Sequence, residues 1–276
     1  MQLSHSGKVK DIYEVDSKSL LFHFTDRVSA FDVPMVTPVL GKGKILCKFA
    51  EFWFKVLNVK NHMIGLEASD KMLVRKLTMI PIECVVRGYL YGSLYERIKL
   101  GNSILGISSE DCTIASKLEK PIFDPATKNN VHDRPISDIE ILDSQILSSE
   151  ELDQIKAKSL TIYDQMSKLA EKADFIIADV KFEFGREPST GEIILADSIG
   201  PDEFRIWSKS LYEPGKLQES YDKQYLRDWL TKIGFKKKLD EGRQDVMPLP
   251  PILPQAIIDE LLNRYKYVYQ KISSQT

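Results

Sequence analysis

The sequence of 276 residues predicts an α+β protein with two subdomains. Segments in which apolar and charged residues alternate, as they do in strands, occur within the first 90 residues and again between residues 179 and 205. Other segments carry apolar residues at every third or fourth position, which is typical of helices. A single hydrophobic core rarely grows much beyond this chain length, so we expect two subdomains.

Composition and charge exclude several classes of partner. The chain has 38 basic and 40 acidic residues, a net charge of −2, so no overall field favours nucleic acid or a membrane surface. Cys47, Cys84 and Cys112 are widely spaced without a CxxC pair, which favours reduced thiols over disulfides or a zinc site. No apolar run resembles a signal peptide or a membrane span. We therefore expect a cytoplasmic protein.

The first predicted strand covers residues 7–15 and the second covers residues 20–24. In the first strand Lys8 and Lys10 fall on one face, beside a glycine that would let a ligand approach the backbone closely. Two lysines on a strand are more often solvated than functional. Both interpretations stay open from these residues alone.

Residues 25–32 form a polar loop that carries Arg27, Ser29 and Asp32 close together. The loop is either a plain turn or part of a binding site. Residues 42–59 have the apolar spacing of a strongly amphipathic helix, and the aromatic residues of that pattern belong to the core.

Two further strands are predicted at residues 72–77 and 80–87, and a short helix at residues 92–100. Arg87 ends the second of these strands, and Ser93 stands at the start of the helix. An arginine at a strand end near a helix N-terminus is a common way to build an anion site. A buried structural arginine is the alternative.

Residues 121–137 form a long polar segment with little periodicity, and loops of that length inside a domain are usually functional or disordered. Helices are predicted at residues 152–173, 221–233 and 255–271, with a proline-rich connector at residues 247–254.

The central hairpin of the chain is predicted between residues 179 and 205. Alternation places Asp179, Lys181 and Glu183 on one face, with Val180, Phe182 and Phe184 in the core. A three-residue loop at residues 189–191 would bring Asp197 opposite Glu183. Paired carboxylates suit Mg²⁺, and a neighbouring lysine suits a phosphate. An ordinary solvated face is the alternative.

Six motifs, in chain order, resemble those of the phosphoribosylaminoimidazole-succinocarboxamide synthase family, also called SAICAR synthetases. They are GKVKDIY at residues 7–13, SAFD at 29–32, PIECVVR at 81–87, GS at 92–93, DVKFEFG at 179–185 and DSIGPDEFRIW at 197–207. The resemblance implies an ATP-grasp-like fold, with a small N-terminal lobe (residues 1–80) over a larger lobe (residues 81–276). It also implies ligation of L-aspartate to the carboxylate of carboxyaminoimidazole ribotide (CAIR), with ATP and Mg²⁺, in purine biosynthesis.

The same resemblance implies a role for each matching residue. Lys181 and Asp179 would face the reacting groups, and Glu183 and Asp197 would bind Mg²⁺. The implied nucleotide contacts are Lys8, Lys10, Lys76, Met79 and Glu83. The implied substrate contacts are Arg87, Ser93, Arg205, Arg27, Ser29, Asp32, Lys128, His132 and Asp133. The chain departs from the family at Arg134-Pro135, where an acidic residue and a small polar residue or proline are expected.

Activation of the CAIR carboxylate as an acyl phosphate would need no nucleophile on the protein, which agrees with the lack of a Ser-His-Asp or Cys-His signature. Two other functions use similar residues. A small-molecule kinase would transfer the γ-phosphate only, and ATP hydrolysis with and without aspartate distinguishes it from a ligase. A non-enzymatic nucleotide-binding regulator would not need an acid pair beside Lys181. A homodimer is left open.

Overall fold

The computed structural model describes residues 1–101, 104, 107–110, 112–128, 133–242 and 248–276. The strands are β1 (Gln2–Ser6), β2 (Lys10–Glu14), β3 (Ser19–Phe24), β4 (Ser29–Ala30), β5 (Val33–Pro34), β6 (Met63–Ala68), β7 (Lys71–Arg75), β8 (Thr78–Met79), β9 (Ile82–Tyr89), β10 (Lys117–Phe123), β11 (Ala126–Thr127), β12 (Phe175–Arg186), β13 (Ile193–Ala196) and β14 (Phe204–Ser208). The helices are α1 (Lys42–Val56), α2 (Gly92–Lys99), α3 (Asp138–Asp143), α4 (Ser149–Lys172), α5 (Gln224–Lys232), α6 (Phe235–Glu241) and α7 (Gln255–Ser273).

The first sheet has the strand order β1-β2-β3-β7-β6, and each neighbouring pair is antiparallel. Helix α1 packs against β3 and buries Phe49 and Trp53 completely. Gly43 permits this close packing, because a Cβ atom at that position would lie 2.2 Å from the backbone oxygen of Phe24. The apolar stripe of α1 thus covers one face of the sheet.

The second sheet is built around the long strand β12, which pairs with β9, β13, β14 and β8. Helix α4 covers one face of this sheet through contacts with β9, β10 and β12. Val180, Phe182 and Phe184 are buried, as the alternation of the hairpin predicts. The opposite face of β9 and β12 carries the charged side chains.

The mixed fold is as predicted, but several elements differ. Residues 2–6 form a strand that was not predicted, so Lys8 lies in the turn between β1 and β2, not on a strand face with Lys10. The Gly7 N–H donates to the Lys10 carbonyl at 2.8 Å and closes that turn. The two-residue strands β4, β5, β8 and β11 and the longer elements β6, β14, α3 and α6 were also not predicted.

The lobe boundary at residues 80 and 81 stays a prediction. The strands of the first sheet end at Arg75, and β8 already pairs with β12 of the second sheet. No helix in the described part of the chain is both long and apolar enough to cross a bilayer.

Candidate active site

A cavity of about 380 Å³ lies between the first sheet and the charged face of the second. Its charged lining residues are seven basic and seven acidic side chains: Lys8, Lys10, Arg87, Lys181, Arg205, Lys223 and Arg227, with Asp32, Glu83, Asp133, Asp179, Asp197, Asp202 and Glu203. Ser29 and Ser93 also line the cavity. The basic side chains suit a ligand with several negative charges, and the acidic side chains suit a cation bound together with that ligand.

The hairpin register differs by one residue from the prediction. Glu183 pairs with Ala196 and not with Asp197. The Glu187 N–H donates to the Glu192 carbonyl at 2.9 Å, so the loop has four residues, 188–191, instead of three. Gly191 has a φ of +73°, the left-handed conformation predicted for it.

Asp197 reaches the cavity through an unusual backbone conformation. A shift of one residue moves a side chain to the other face of a regular strand. Asp197 follows the end of β13 and has a φ of +60°, which turns its carboxylate back toward Lys10. Lys10 forms an ion pair with Asp197 and donates to the Ser198 hydroxyl at 2.8 Å.

The charge state of Asp197 follows from its neighbours. Burial alone raises the pKa of Asp197, but the ammonium groups of Lys10, Lys128 and Lys181 outweigh burial and lower the pKa to about 2. Asp197 is therefore a carboxylate at neutral pH.

Lys181 lies among acidic side chains. Its Nζ donates to Glu83 at 2.7 Å and lies 3.5 Å from Glu183 Oε1, while Lys128 forms an ion pair with the other oxygen of Glu183. Burial lowers the pKa of Lys181, but Glu183 and Glu83 outweigh burial and raise it above its usual value. Glu183 is 4% exposed and lies behind the lining of the cavity.

The donor set fits a magnesium–nucleotide complex. Lys128 and Lys181 both interact electrostatically with Glu183 and with Asp197, so the two carboxylates lie near the same pair of ammonium groups. No group of three or more potential metal ligands occurs among the described residues. Mg²⁺ in nucleotide sites is usually bound by one or two carboxylates, with phosphate and water as the other ligands.

Arg87, Asp179 and Arg205 lie side by side on three adjacent strands, because β12 pairs Asp179 with Arg87 on one side and with Arg205 on the other. Arg205 Nη1 donates to Asp179 at 2.6 Å, and Arg87 Nη1 lies 3.6 Å from the same oxygen. Arg87 also donates to Ser93 at 2.9 Å and to Asp124 at 2.5 Å. One carboxylate thus aligns two arginine forks toward the cavity.

The Arg205 guanidinium is held between two residues at the start of α2. It lies over the Tyr91 ring, 5.7 Å from the centroid. On the other side is Gly92, where a Cβ atom would lie 2.7 Å from Nη2. Gly92 has a φ of +57°, so both the space and the backbone at this position favour glycine.

The sequence prediction missed a buried network below the arginines. Asp202 accepts from Lys42 at 2.8 Å and from the Tyr265 hydroxyl at 2.9 Å, and Lys223 Nζ lies 3.5 Å away. Burial lowers the pKa of Lys223 to about 8, although Asp202 opposes this shift. Lys223 and Arg227 stand four residues apart at the start of α5, a spacing that puts both on one helix face.

Glu203 also lines the cavity and was not predicted as a site residue. Burial, with the neighbouring Asp202 charge, raises the pKa of Glu203 to about 7. Glu203 lies within the motif at residues 197–207, but its position in that motif does not by itself indicate a role.

Some predicted residues lie outside the cavity lining. Arg27 pairs with Asp11, and Lys76 pairs with Glu14 at 2.5 Å on the surface. Met79 and Lys128 also lie outside the lining. His132 lies outside the described residues.

The loop side of the cavity carries Ser29, Asp32 and Asp133 among the predicted substrate contacts. Lys8 and Asp32 form an exposed ion pair at 2.5 Å, which joins the turn after β1 to the loop between β4 and β5. The departure at Arg134 has a local explanation. Arg134 pairs at 3.0 Å with Glu140, which belongs to the capping box at the start of α3.

The sequence and the fold were compared with those of known proteins. Residues 3–242 match the family model described as SAICAR synthetase. The phosphoribosylaminoimidazole-succinocarboxamide synthase of Nitrosopumilus maritimus is 47% identical, over 100% of both chains. The SAICAR synthase of Saccharomyces cerevisiae, solved as a complex with SAICAR, aligns with a TM-score of 0.82 and 34% identity over 99% of this chain and 95% of the other. A SAICAR synthetase solved with ADP aligns with a TM-score of 0.75 and 27% identity, over 98% and 97%.

Proposed function

The chain belongs to the SAICAR synthetase family, and we propose that its cavity joins L-aspartate to the CAIR carboxylate through an acyl phosphate. As a member of that family it is an ATP-dependent carbon–nitrogen ligase of purine biosynthesis, which forms SAICAR, ADP and phosphate. The observation that carries the mechanism is the presence of two charged groups at one site. In the first, lysines form ion pairs with Glu183 and Asp197. In the second, Asp179 lies between Arg87 and Arg205 and contacts both.

The chemistry requires that the carboxylate be activated. An amine cannot displace an oxide ion from a carboxylate. In the first step a CAIR carboxylate oxygen attacks the γ-phosphorus of ATP, and the bond to ADP breaks. In the second step the aspartate amine attacks the acyl carbon and loses a proton, and phosphate leaves with the former carboxylate oxygen. The protein's task is therefore positioning, charge neutralisation and exclusion of water.

The lysine-rich part of the cavity suits the nucleotide phosphates. We assign Mg²⁺ to Glu183 and Asp197, where it would neutralise charge on the transferring phosphoryl group. Lys181 is the catalytic residue that steadies the γ-phosphoryl oxygens as negative charge spreads over them. Lys8 and Lys10 contact the nucleotide from the first sheet. Glu83 is assigned to the adenosine from within the cavity, and Lys76 and Met79, which lie outside the lining, are assigned to it from the edge of the site.

The arginine-rich part suits the ribotide phosphate of CAIR. Arg87 and Arg205 each offer a planar fork, and the Ser93 hydroxyl stands beside Arg87. Lys223 and Arg227 add positive charge on the same side. Asp179 orients both guanidinium groups, and we keep its predicted place beside the reacting groups. Ser29, Asp32 and Asp133, with Arg27 and Lys128, are assigned to CAIR and aspartate binding, and the role of His132 stays a prediction from the sequence.

An isotope experiment tests the acyl phosphate. CAIR labelled with ¹⁸O in its carboxylate is incubated with ATP, aspartate and the enzyme, and the inorganic phosphate is analysed by mass spectrometry. We expect one labelled oxygen in the phosphate for each SAICAR formed. Lys181→Met should suppress label transfer and SAICAR formation together while CAIR still binds. Unlabelled phosphate from an active enzyme contradicts the mechanism.

A cytoplasmic location is part of the proposal, because the three cysteines are all buried as free thiols. The homodimer stays a prediction, and sedimentation equilibrium is the measurement that tests it.

A further inference from the structure

His62 lies where the first sheet meets the end of β13. Its backbone N–H donates to the Leu195 carbonyl at 3.0 Å, and its own carbonyl accepts from the Arg75 N–H at 2.8 Å. The imidazole is buried between the rings of Phe22 and Phe54, whose centroids lie 5.4 and 5.5 Å away. Contacts on both sides therefore fix the orientation of the ring.

The buried imidazole makes a directed contact with the candidate metal ligand. Nε2 of His62 lies 3.0 Å from the backbone oxygen of Asp197. A carbonyl oxygen can only accept a hydrogen bond, so Nε2 carries the hydrogen. The bond is made to the peptide group that joins Asp197 to Ser198.

That peptide group controls two contacts of Lys10. Asp197 has a φ of +60°, a conformation that residues other than glycine keep only where their surroundings hold it. The same peptide leads to Ser198, whose hydroxyl accepts from Lys10 at 2.8 Å. Rotation about the N–Cα bond of Asp197 would turn this peptide as well, and would so move the Asp197 carboxylate and the Ser198 hydroxyl away from Lys10 together.

We propose that His62 is a positioning residue, whose imidazole holds the Asp197–Ser198 peptide so that the Asp197 carboxylate faces the magnesium–nucleotide complex. The inference rests on the proposed role of Asp197 in Mg²⁺ binding. Groups that orient a metal ligand typically change metal affinity or activity by about 10- to 100-fold when they are replaced.

Three variants separate the hydrogen bond from packing. His62→Phe keeps an aromatic ring between Phe22 and Phe54 but removes the donor. His62→Gln restores a donor on a side chain of similar reach. Phe54→Leu is the matched control, because it loosens the packing of His62 without removing its bond to Asp197. Circular dichroism first establishes that each variant is folded.

The main readout is binding of Mg²⁺·ADP, measured by titration calorimetry, together with the Mg²⁺ concentration that gives half-maximal SAICAR formation. We expect His62→Phe to weaken both by about tenfold or more. His62→Gln should recover most of the loss. Phe54→Leu should lower the melting temperature and leave Mg²⁺·ADP affinity within about twofold, as expected for a packing change away from the bond.

Two binding results overturn the inference. Parent-like Mg²⁺·ADP affinity in His62→Phe is one, and equal weakening in Phe54→Leu is the other, since it would assign the effect to packing. Failure of the parent enzyme to form SAICAR would instead overturn the proposed function, while the calorimetric comparison would still be valid. A crystal structure of His62→Phe should show the Asp197 carboxylate turned away from Lys10, and an unchanged Asp197 φ also contradicts the inference.

Discussion

At the scale of single residues, the two carboxylates to which we assign Mg²⁺, Glu183 and Asp197, are the most direct test of the proposed site. Glu183→Gln and Asp197→Asn remove a charge without changing shape. Because each would remove a metal ligand, we expect activity to fall by roughly a hundredfold or more, with the fold retained. Steady-state kinetics across Mg²⁺ concentrations measure the effect. Turnover within about threefold of the parent at low Mg²⁺ would show that the residue does not bind the metal.

The charge of Lys223 makes a prediction about pH. Burial lowers its pKa to about 8, so the ammonium is charged below that pH and loses its proton as the pH rises through it. If Lys223 helps to bind the CAIR phosphate, kcat/KM for CAIR should decline above about pH 8, because this ratio reports the free enzyme.

Lys223→Arg is the matched variant for this test, since arginine stays charged throughout the range. The decline should disappear or move to higher pH in the variant, at saturating aspartate and ATP. An identical profile in both enzymes would assign the decline to another group.

Lys223, Arg227 and Asp202 also show why part of the site could not be predicted. Arg87, Ser93 and Arg205 stand at recognisable points of strand and helix, and Lys8 and Lys10 follow directly after Gly7. Lys223 and Arg227 look like ordinary charges of a surface helix, because only the tertiary fold turns that helix toward the cavity. The burial of Lys42 against Asp202 leaves no trace in local spacing either.

At the scale of secondary-structure elements, the junction between β9 and α2 determines where Arg205 lies. Gly92→Ala would add a methyl group 2.7 Å from the Arg205 guanidinium and strain a left-handed backbone. We expect KM for CAIR to rise by about tenfold, since a displaced fork loses phosphate contacts, with KM for ATP little changed.

Gly101→Ala is the control for Gly92→Ala. Gly101 has a φ of +92°, and among the described residues no atom lies within 4 Å of an added Cβ, so the control carries backbone strain without the clash. Both variants should lose about 1 kcal/mol of unfolding free energy. A similar rise in KM for CAIR in both would mean that strain, and not the contact with Arg205, is responsible.

In the hairpin, the face on which each side chain lies could be predicted from the sequence, but the pairing of the two strands could not. Alternation alone is sufficient to place Asp179 and Lys181 on the cavity face and Val180 in the core, because the strand is regular there. The pairing of Glu183 depends on loop length, and one added residue, Pro188, shifts it from Asp197 to Ala196. Strand β1 was missed because all five of its residues are exposed, so it lacks an apolar alternation.

At the scale of the whole molecule, Asp202 joins parts of the chain that are distant in sequence. Lys42 begins α1, Tyr265 belongs to α7, and both bind Asp202 in the segment between β13 and β14. Lys42 is fully buried. Removing one partner of a buried ion pair is strongly destabilising, so Lys42→Met should lower the free energy of unfolding by about 3 kcal/mol.

Urea denaturation measures this loss, and Lys44→Met on the exposed face of α1 is the control. The control should change stability by less than about 0.5 kcal/mol. Equal losses of unfolding free energy in the two variants would show that the ion pair between Lys42 and Asp202 contributes little to the stability of the fold.

The setting of Arg205 has a consequence for conformational entropy. A free arginine side chain gives up about 2 kcal/mol of rotamer freedom when a ligand orders it. Here Tyr91, Gly92 and Asp179 already restrict the guanidinium to one orientation, so that loss accompanies folding and not binding. If Arg205 binds the CAIR phosphate as proposed, its guanidinium meets that phosphate as a rigid template, which would favour ligands whose phosphate lies at one fixed distance from the reacting carboxylate and disfavour longer or shorter analogues.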